Sequence, residues 1–200
     1  MPDLAEALET HFGFSEFRGG QREVIECLLA DRPALAVFPT GGGKSLCYQL
    51  PAVLLEGVTL VVSPLIALMK DQVDTLQELG IAAARLDSTL SSEEAMAIYD
   101  QLYHGTLKLL YVAPERLANE NFRARLAKTR LSLLAIDEAH CISQWGHDFR
   151  PSYRRLQKLR EELPNVPMLA LTATATNKVA GDIIHQLGMK NPKGFKGSFF

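Results

Sequence analysis

The stretch Phe38-Pro39-Thr40-Gly41-Gly42-Gly43-Lys44-Ser45 decides how this chain folds. It follows an apolar run and precedes a helix-compatible segment. Glycines let backbone N–H groups surround phosphate oxygens, because no Cβ stands in the way. A lysine then reaches the β- and γ-phosphates, a hydroxyl can contact Mg²⁺, and the helix N-terminus attracts anions. The stretch predicts a nucleoside triphosphate site formed by Thr40, Gly41, Gly42, Gly43, Lys44 and Ser45, although Phe38 stands where the strict motif has glycine.

The bulk composition narrows the class of protein. A chain of 200 residues with 47% hydrophobic content predicts one well-cored domain. The net charge of −2 gives no overall positive field, so any contact with nucleic acid must come from a local patch. No apolar run approaches the ~20 residues of a membrane helix, and we expect no membrane partner. Cys27, Cys47 and Cys141 are odd in number and widely spaced, which predicts free thiols in a reducing cytoplasm, with neither disulfides nor a zinc site.

Short β-branched runs alternate with amphipathic segments along the chain. The predicted strands cover residues 34–38, 59–62, 82–86, 107–112, 131–136 and 168–171. The predicted helices cover residues 21–30, 44–55, 64–79, 115–128, 153–163 and 177–187, with a further helix opening at Ser91. This alternation predicts an α/β domain with a mostly parallel central sheet and helices on both faces. Ligands of such sheets bind at the carboxyl ends of the strands, where the glycine-rich stretch falls.

A second motif, Asp137-Glu138-Ala139-His140, follows a buried-type strand. Asp137 is placed to hold Mg²⁺, as a carboxylate does in phosphate-loop enzymes. Glu138 can orient and deprotonate an attacking water. His140 is expected to contact the γ-phosphate region or a neighbouring loop. Two carboxylates after a strand fit a solvated turn equally well, but together with the glycine-rich stretch they favour a Mg²⁺–ATP hydrolysing site with Ser45 and Asp137 as metal ligands.

The two motifs together resemble those of superfamily-2 helicases, and within them of RecQ DNA helicases. The residues that carry the resemblance are Asp-Glu-Ala-His and Thr-Gly-Gly-Gly-Lys-Ser-Leu-Cys-Tyr-Gln, and it runs through nearly the whole chain. That superfamily does not keep a glycine at the position of Phe38. The resemblance implies a RecA-like P-loop NTPase domain over residues 1–190, with ATP and Mg²⁺ as cofactors. Residues 191–200 are then expected to be a linker to a second RecA-like domain.

Residues 1–30 resemble the adenine-recognition segment of that family. The resemblance implies that Gln21 bonds the base edge, Phe14 stacks on the base and Arg18 helps to hold the nucleotide. Phe14 stands where many members have tyrosine, so stacking is kept and a hydroxyl is lost.

Residues 141–151 resemble the aromatic-rich loop of RecQ helicases, which is the most specific part of the match. Aromatic faces there can stack on bases, and an arginine can meet a phosphate. The resemblance assigns DNA contact to Trp145, His147, Phe149 and Arg150. It further implies backbone contacts at Ser63 and Pro64, where a helix N-terminus meets phosphate, and coupling of hydrolysis to strand movement at Thr172 and Thr174.

The function implied is that of the ATP-binding motor domain of a 3′–5′ DNA helicase in recombination and repair. Its partners would be single-stranded and forked DNA, the second RecA-like domain and a single-strand-binding protein, in the cytoplasm or, in a bacterium, at the nucleoid. Without the second domain and its arginine, the chain alone is expected to be nearly inactive. Two alternatives stay open: a catalytically silent nucleotide- or DNA-binding module, and a small-molecule P-loop kinase.

Overall fold

The computed structural model describes residues 2–39 and 43–196, which form a central sheet covered by helices. The strands are β1 (Ala34–Val37), β2 (Val58–Val62), β3 (Ala83–Leu86), β4 (Leu109–Val112), β5 (Leu131–Ile136), β6 (Met168–Thr172) and β7 (Lys193–Lys196). The helices are α1 (Leu4–Phe12), α2 (Gln21–Leu29), α3 (Leu46–Leu54), α4 (Ile66–Glu78), α5 (Ser92–Tyr103), α6 (Glu120–Ala127), α7 (Arg155–Glu162) and α8 (Asn177–Gln186).

The strands lie in the order β3-β4-β2-β5-β6-β1-β7, and each pairing within the described residues is parallel. Strands β1–β6 are largely buried, as parallel strands covered on both faces are, which explains their nearly continuous apolar sequences, whereas β7 at the edge is mostly exposed. Successive side chains point to opposite faces, so Ala34 and Ala36 pack with α1–α4 whereas Leu35 packs with α5–α8. The predicted α/β class, the parallel sheet and the helices on both faces are confirmed.

Two predicted helices begin differently from the expectation. The segment 115–128 divides into a 3₁₀ turn, Pro114–Ala118, and α6, because the Asn119 side chain accepts a hydrogen bond from the Phe122 N–H and starts a new helix. Likewise a 3₁₀ turn, Pro151–Arg154, precedes α7. Proline at the first position of each turn fixes φ and lacks an N–H, which suits an opening turn.

The ends of the sequence differ most from the expectation. Helix α1 was not predicted, although Asp3 caps it and its buried side chains recur with helical spacing. Residues 193–196 were expected in a linker and instead form β7, which pairs with β1 from Ala34 to Val37. Residues 193–196 therefore belong to the central sheet, and the role of residues 191–200 as a linker to a second RecA-like domain stays a prediction. The pairing of β7 comes from the exposed edge of β1, since Lys193 donates its N–H to the Pro33 carbonyl (2.9 Å).

Candidate active site

Three strand ends meet at one edge of the sheet. β5 leads to Asp137, β6 ends at Thr172, and β1 leads to Phe38 and the glycine-rich stretch. The Phe38 N–H donates to the Thr172 carbonyl (2.9 Å), and the Asp137 N–H donates to the Val62 carbonyl (2.9 Å). Phe38 itself is fully buried in the core, so its side chain anchors the start of the stretch.

Lys44 joins the two sequence motifs. Its Nζ lies 3.3 Å from Asp137 Oδ1 and 3.4 Å from Glu138 Oε1. The two carboxylates raise the pKa of Lys44 although burial acts against it. Burial raises the pKa of Asp137, and the Lys44 ammonium opposes that change. One cation between two carboxylates leaves an excess negative charge, so the cluster attracts a further cation.

The backbone conformation at Glu138 sets the directions of the Asp137 and Glu138 side chains. Glu138 has φ +51°, in the left-handed region that few residues other than glycine adopt, and its N–H donates to Asp137 Oδ1 (2.9 Å). The chain then enters a 3₁₀ turn, Ala139–Ile142. Strained backbone of this kind clusters at functional sites. The conformation faces Glu138 toward both Lys44 and His140.

His140 links the Asp-Glu motif to the end of β6. Its Nδ1 lies 2.8 Å from Thr172 Oγ1, and that hydroxyl donates its only hydrogen to the Thr174 carbonyl (3.0 Å). The hydroxyl can therefore only accept from His140, which assigns the proton to Nδ1 and leaves Nε2 with a lone pair. Nε2 lies 3.6 Å from Glu138 Oε2. Burial lowers the pKa of His140, although Glu138 opposes this, so the ring is neutral at pH 7.

The segment that resembles an adenine-recognition segment lies beside the glycine-rich stretch. The side chain of Gln21 is buried; its Oε1 accepts from the Arg18 N–H (2.8 Å) and its Nε2 donates to the Gly43 carbonyl (2.9 Å). Phe14 is 55% exposed. These residues border a cavity of about 410 Å³, which the structure forms from Phe14, Arg18, Gln21, Gly43 and Ser45 together with residues of α1, α3 and α4. Thr40, Gly41 and Gly42 lie outside the described residues.

The aromatic-rich loop folds back onto His140. The rings of His147 and His140 stack with their centroids 4.5 Å apart and their planes at 15°. Gly146 permits this approach, because a Cβ there would lie 2.8 Å from the His140 carbonyl oxygen. Trp145 is 63% exposed, and Arg150 contacts Asp148 through Nε and Nη2 (both 3.2 Å).

Ser63 and Pro64 lie at the end of β2, toward the β3 side of the sheet. Ser63 is buried, and its Oγ accepts from the Leu65 N–H (3.3 Å), so the hydroxyl shapes the start of α4. Pro64 borders a cavity of about 420 Å³ that is also lined by Asp87, Glu115 and Arg116. Contact of this face with a DNA backbone stays a prediction.

The structure adds residues that the sequence did not single out. The Tyr153 hydroxyl donates to the Asp137 carbonyl (2.7 Å) in a buried setting. Tyr48 donates to Gln72 Oε1 (2.7 Å), which ties α3 to α4. Tyr48 lies in the quoted Leu-Cys-Tyr-Gln run, but no sequence signal names the partner of either tyrosine, since each partner is distant along the chain.

Two further expectations concern metals and membranes. His140, Cys141 and Asp148 bring three potential ligand atoms within 4.8 Å of one another, so the expected absence of a zinc site stays a prediction.

Among the helices of the described residues, none has the length and apolar character needed to cross a membrane.

Comparison with known proteins identifies the family. The family model described as DEAD/DEAH box helicase matches residues 18–183. The chain belongs to this family. It is similar to the ATP-dependent DNA helicase RecQ of Haemophilus influenzae, with 48% identity over 99% of this chain, and to that of Bacillus subtilis, with 53% identity over 94% of this chain. The resemblance to RecQ helicases is thereby confirmed. The chain covers 32% of the length of each of these relatives.

Solved helicase structures share the fold. The DUF1998 helicase MrfA bound to DNA superposes with a TM-score of 0.77 over 98% of this chain at 18% identity. The Hef helicase domain of Pyrococcus furiosus gives 0.68 over 90% at 20% identity. At such identities the likeness concerns the fold alone, and it confirms the RecA-like architecture for this member of the DEAD/DEAH box family.

Proposed function

We propose that this chain is the ATP-binding motor domain of a RecQ-type DNA helicase, and that it binds and hydrolyses ATP between the Lys44 cluster and the Gln21 cavity. The observation that carries the proposal is the contact of Lys44 Nζ with both Asp137 and Glu138 (3.3 and 3.4 Å). It brings the lysine that we assign to the phosphates together with the carboxylates that we assign to the metal and to the attacking water, in one partly buried cluster.

The donor atoms fit magnesium. Asp137 offers a buried carboxylate, Ser45 offers a hydroxyl, and the excess negative charge beside Lys44 requires a cation. Mg²⁺ prefers such hard oxygen ligands, and when bound it neutralises charge on phosphate oxygens. Ser45 and Asp137 would hold it. Lys44 would exchange its carboxylates for the β- and γ-phosphates, which frees Glu138.

Glu138 acts as the general base in this proposal. Once Lys44 has moved to the phosphates, Glu138 can accept a proton from the attacking water. His140 Nε2, which carries a lone pair 3.6 Å from Glu138 Oε2, can accept a hydrogen bond from the same water. The second proton of the water would thus be held in place while Glu138 takes the first.

The aromatic-rich loop connects DNA to this chemistry. His147 stacks on His140, and His140 in turn lies beside Glu138. Movement of the loop would therefore change the surroundings of Glu138, the proposed general base. Thr172 fixes His140 from the opposite side. We propose that Trp145, Phe149 and Arg150 bind single-stranded DNA, that Ser63 and Pro64 lie along its backbone, and that Thr172 and Thr174 transmit strand movement.

The properties of a longer protein belong to the proposal as well. We propose 3′–5′ translocation on single-stranded and forked DNA in recombination and repair, in the cytoplasm or at a bacterial nucleoid, with a single-strand-binding protein as partner. A second RecA-like domain after residue 190 would supply an arginine to the transferred phosphoryl group. These 200 residues alone would then bind ATP weakly and hydrolyse it very slowly.

The test combines nucleotide binding with DNA stimulation. A fluorescent ATP analogue is titrated into the chain and into Lys44→Ala, with Lys70→Ala as control, since Lys70 is an exposed lysine paired with Asp74. We expect Lys44→Ala to lose affinity at least tenfold and Lys70→Ala to keep it. Equal affinities for all three would overturn the assigned nucleotide site.

The second arm measures ATPase activity of the proposed longer protein, with its second RecA-like domain, with and without single-stranded DNA. We expect DNA to increase the rate, and Lys44→Ala and Glu138→Gln to abolish it. ATP binding without any hydrolysis would support the silent module. Phosphorylation of a small molecule without a response to DNA would support the kinase.

A further inference from the structure

A lysine of α8 covers the exposed tryptophan of the aromatic-rich loop. Lys178 Nζ lies 3.4 Å from the centroid of the Trp145 ring, well within the range of a cation–π contact. Lys178 is exposed and belongs to the first turn of α8. The covered face of the indole is therefore not free to stack on a base while Lys178 remains there.

A second residue of α8, Asp182, bonds to the start of the same loop at Ser143. The buried Ser143 donates its Oγ hydrogen to Asp182 Oδ2 (2.7 Å), and the same Oγ accepts from the Trp145 N–H (3.2 Å). Gln186 donates to the other carboxylate oxygen of Asp182 (3.2 Å) and so orients it. Lys178 and Asp182 are four residues apart, hence on one face of the helix, and together they contact the loop at two points.

α8 is also attached to the segment that bonds His140. Its N-cap, Thr176, accepts a hydrogen bond from the Val179 N–H (3.2 Å) and comes only two residues after Thr174. The Thr174 carbonyl in turn accepts a hydrogen bond from the Thr172 hydroxyl, and that hydroxyl accepts a hydrogen bond from His140. The helix that holds the loop and the residue that orients His140 thus belong to one continuous stretch of backbone.

We propose that Lys178 and Asp182 are positioning residues that keep the aromatic-rich loop in its DNA-free arrangement, with Lys178 occupying the indole face that a nucleotide base takes over. The replacement of Lys178 by a nucleotide base, called the exchange below, rests on the proposed contact of Trp145 with single-stranded DNA. The positioning of the loop by Lys178 and Asp182, called the hold on the loop, does not depend on that contact. A base stacks on an aromatic ring more strongly than an exposed ammonium does, so a base can displace the lysine. Asp182 would keep Ser143 in place during the exchange.

Trp145 is the only tryptophan of the chain, so its fluorescence reports the DNA-free arrangement directly. An ammonium group against the indole quenches emission. We expect Lys178→Met to increase the emission, and Lys190→Met, which removes an exposed lysine beyond the far end of α8, to leave it unchanged. Circular dichroism and urea midpoints confirm that the variants are folded. Emission of Lys178→Met equal to that of the unaltered chain would overturn the contact.

Asp182 is tested by the mobility of the same ring. Asp182→Ala should lower the fluorescence anisotropy of Trp145, because the loop loses its hydrogen bond from Ser143. Asp182→Asn keeps an oxygen acceptor and should restore most of the anisotropy. A change in unfolding midpoint without a change in anisotropy would show a structural role only and would contradict positioning.

The exchange is tested with oligodeoxythymidylate as the probe. We expect Lys178→Met to bind it at least twofold more tightly than Lys190→Met, a control that loses the same charge, and the difference to vanish when Trp145→Ala is added to both. Weaker or equal binding by Lys178→Met would overturn the exchange. If no variant binds the oligonucleotide, the proposed DNA contact and the exchange both fall, while the emission and anisotropy results decide the hold on the loop separately.

Discussion

His140 Nδ1 lies 2.8 Å from Thr172 Oγ1, at the point where β5 and β6 end side by side. Both side chains are buried, and the Thr172 hydroxyl has already given its hydrogen to Thr174. One hydroxyl therefore sets which nitrogen of His140 carries the proton. Because Glu138 lies on the other side of the ring, the threonine affects the surroundings of Glu138, the proposed general base, without contacting it.

Replacing Thr172 by valine should destabilise the chain and disturb catalysis together. The change leaves a buried N–H of His140 without an acceptor, which costs about 1–3 kcal/mol of unfolding free energy. Urea denaturation measures that loss, and ATPase assays of the proposed longer protein should show a lower maximal rate. Thr172→Ser keeps the hydroxyl and should recover both quantities. A valine variant with unaltered stability would show that the hydrogen bond contributes nothing.

The lowered pKa of His140 predicts a pH-dependent stability. The unfolded chain binds a proton at this histidine near pH ~6.5, whereas the folded chain resists it until lower pH. The unfolded state then holds more protons, so His140 makes the free energy of unfolding fall as the pH drops below about 6.5. Urea denaturation at a series of pH values should show a shallower fall for His140→Asn. Parallel curves for the two proteins would contradict this.

Gly43 should tolerate alanine poorly for two separable reasons. Its φ is +69°, and a Cβ would lie 2.8 Å from Gln21 Nε2. Alanine would displace Gln21 from the Gly43 carbonyl, and we expect affinity for a fluorescent ATP analogue to fall by about tenfold, or ~1.4 kcal/mol. Gly105→Ala is the control, because Gly105 has φ +68°, has nothing within 4 Å of the point where a Cβ would lie, and does not line the cavity. That variant should lose stability and keep nucleotide affinity; equal losses of affinity would point to backbone strain alone.

Alanine substitution should have opposite effects on stability at Gly146 and at Gly181. Alanine at 146 would place its Cβ 2.8 Å from the His140 carbonyl oxygen and 3.3 Å from that of Ser143. The overlap should cost about 1–3 kcal/mol and move the aromatic-rich loop, which Trp145 emission would report. Gly181 lies inside α8 with nothing within 4 Å of a Cβ, so Gly181→Ala should instead stabilise the chain by about 0.5–1 kcal/mol. Similar effects of the two substitutions on the urea midpoint would refute the close approach.

The parts of the fold that could be predicted are those with local signals. Apolar runs predicted strands β1–β6, and because parallel strands end at one edge, Lys44 and Asp137 could be placed near each other. Local signals also existed for α1, since Leu4, Leu8 and Phe12 repeat with helical spacing behind the capping Asp3, yet this helix was not predicted. The family and fold predictions are confirmed, while the individual roles of the site residues stay predictions.

The remaining features depend on partners distant in sequence. β7 has a sequence of lysines, glycine and phenylalanine that gives no strand signal, and this mostly exposed segment becomes a strand by pairing with the edge of β1. The contact between Lys178 and Trp145 joins a helix to a loop that precedes it by a strand and another helix. No periodicity or motif encodes such a meeting, because it follows from how the layers pack.

The position of β1 has a mechanical consequence. Val37 pairs with Thr172 on one side and with Lys196 on the other, so three strand ends stand in one row. Tension applied along the backbone at Lys196 would load the hydrogen bonds between β7 and β1 in shear, the direction in which parallel strands resist best. The pull would then reach β1, which leads to Phe38 and the glycine-rich stretch, before any other strand, so the hydrogen bonds between β7 and β1 would carry the load close to the Gln21 cavity.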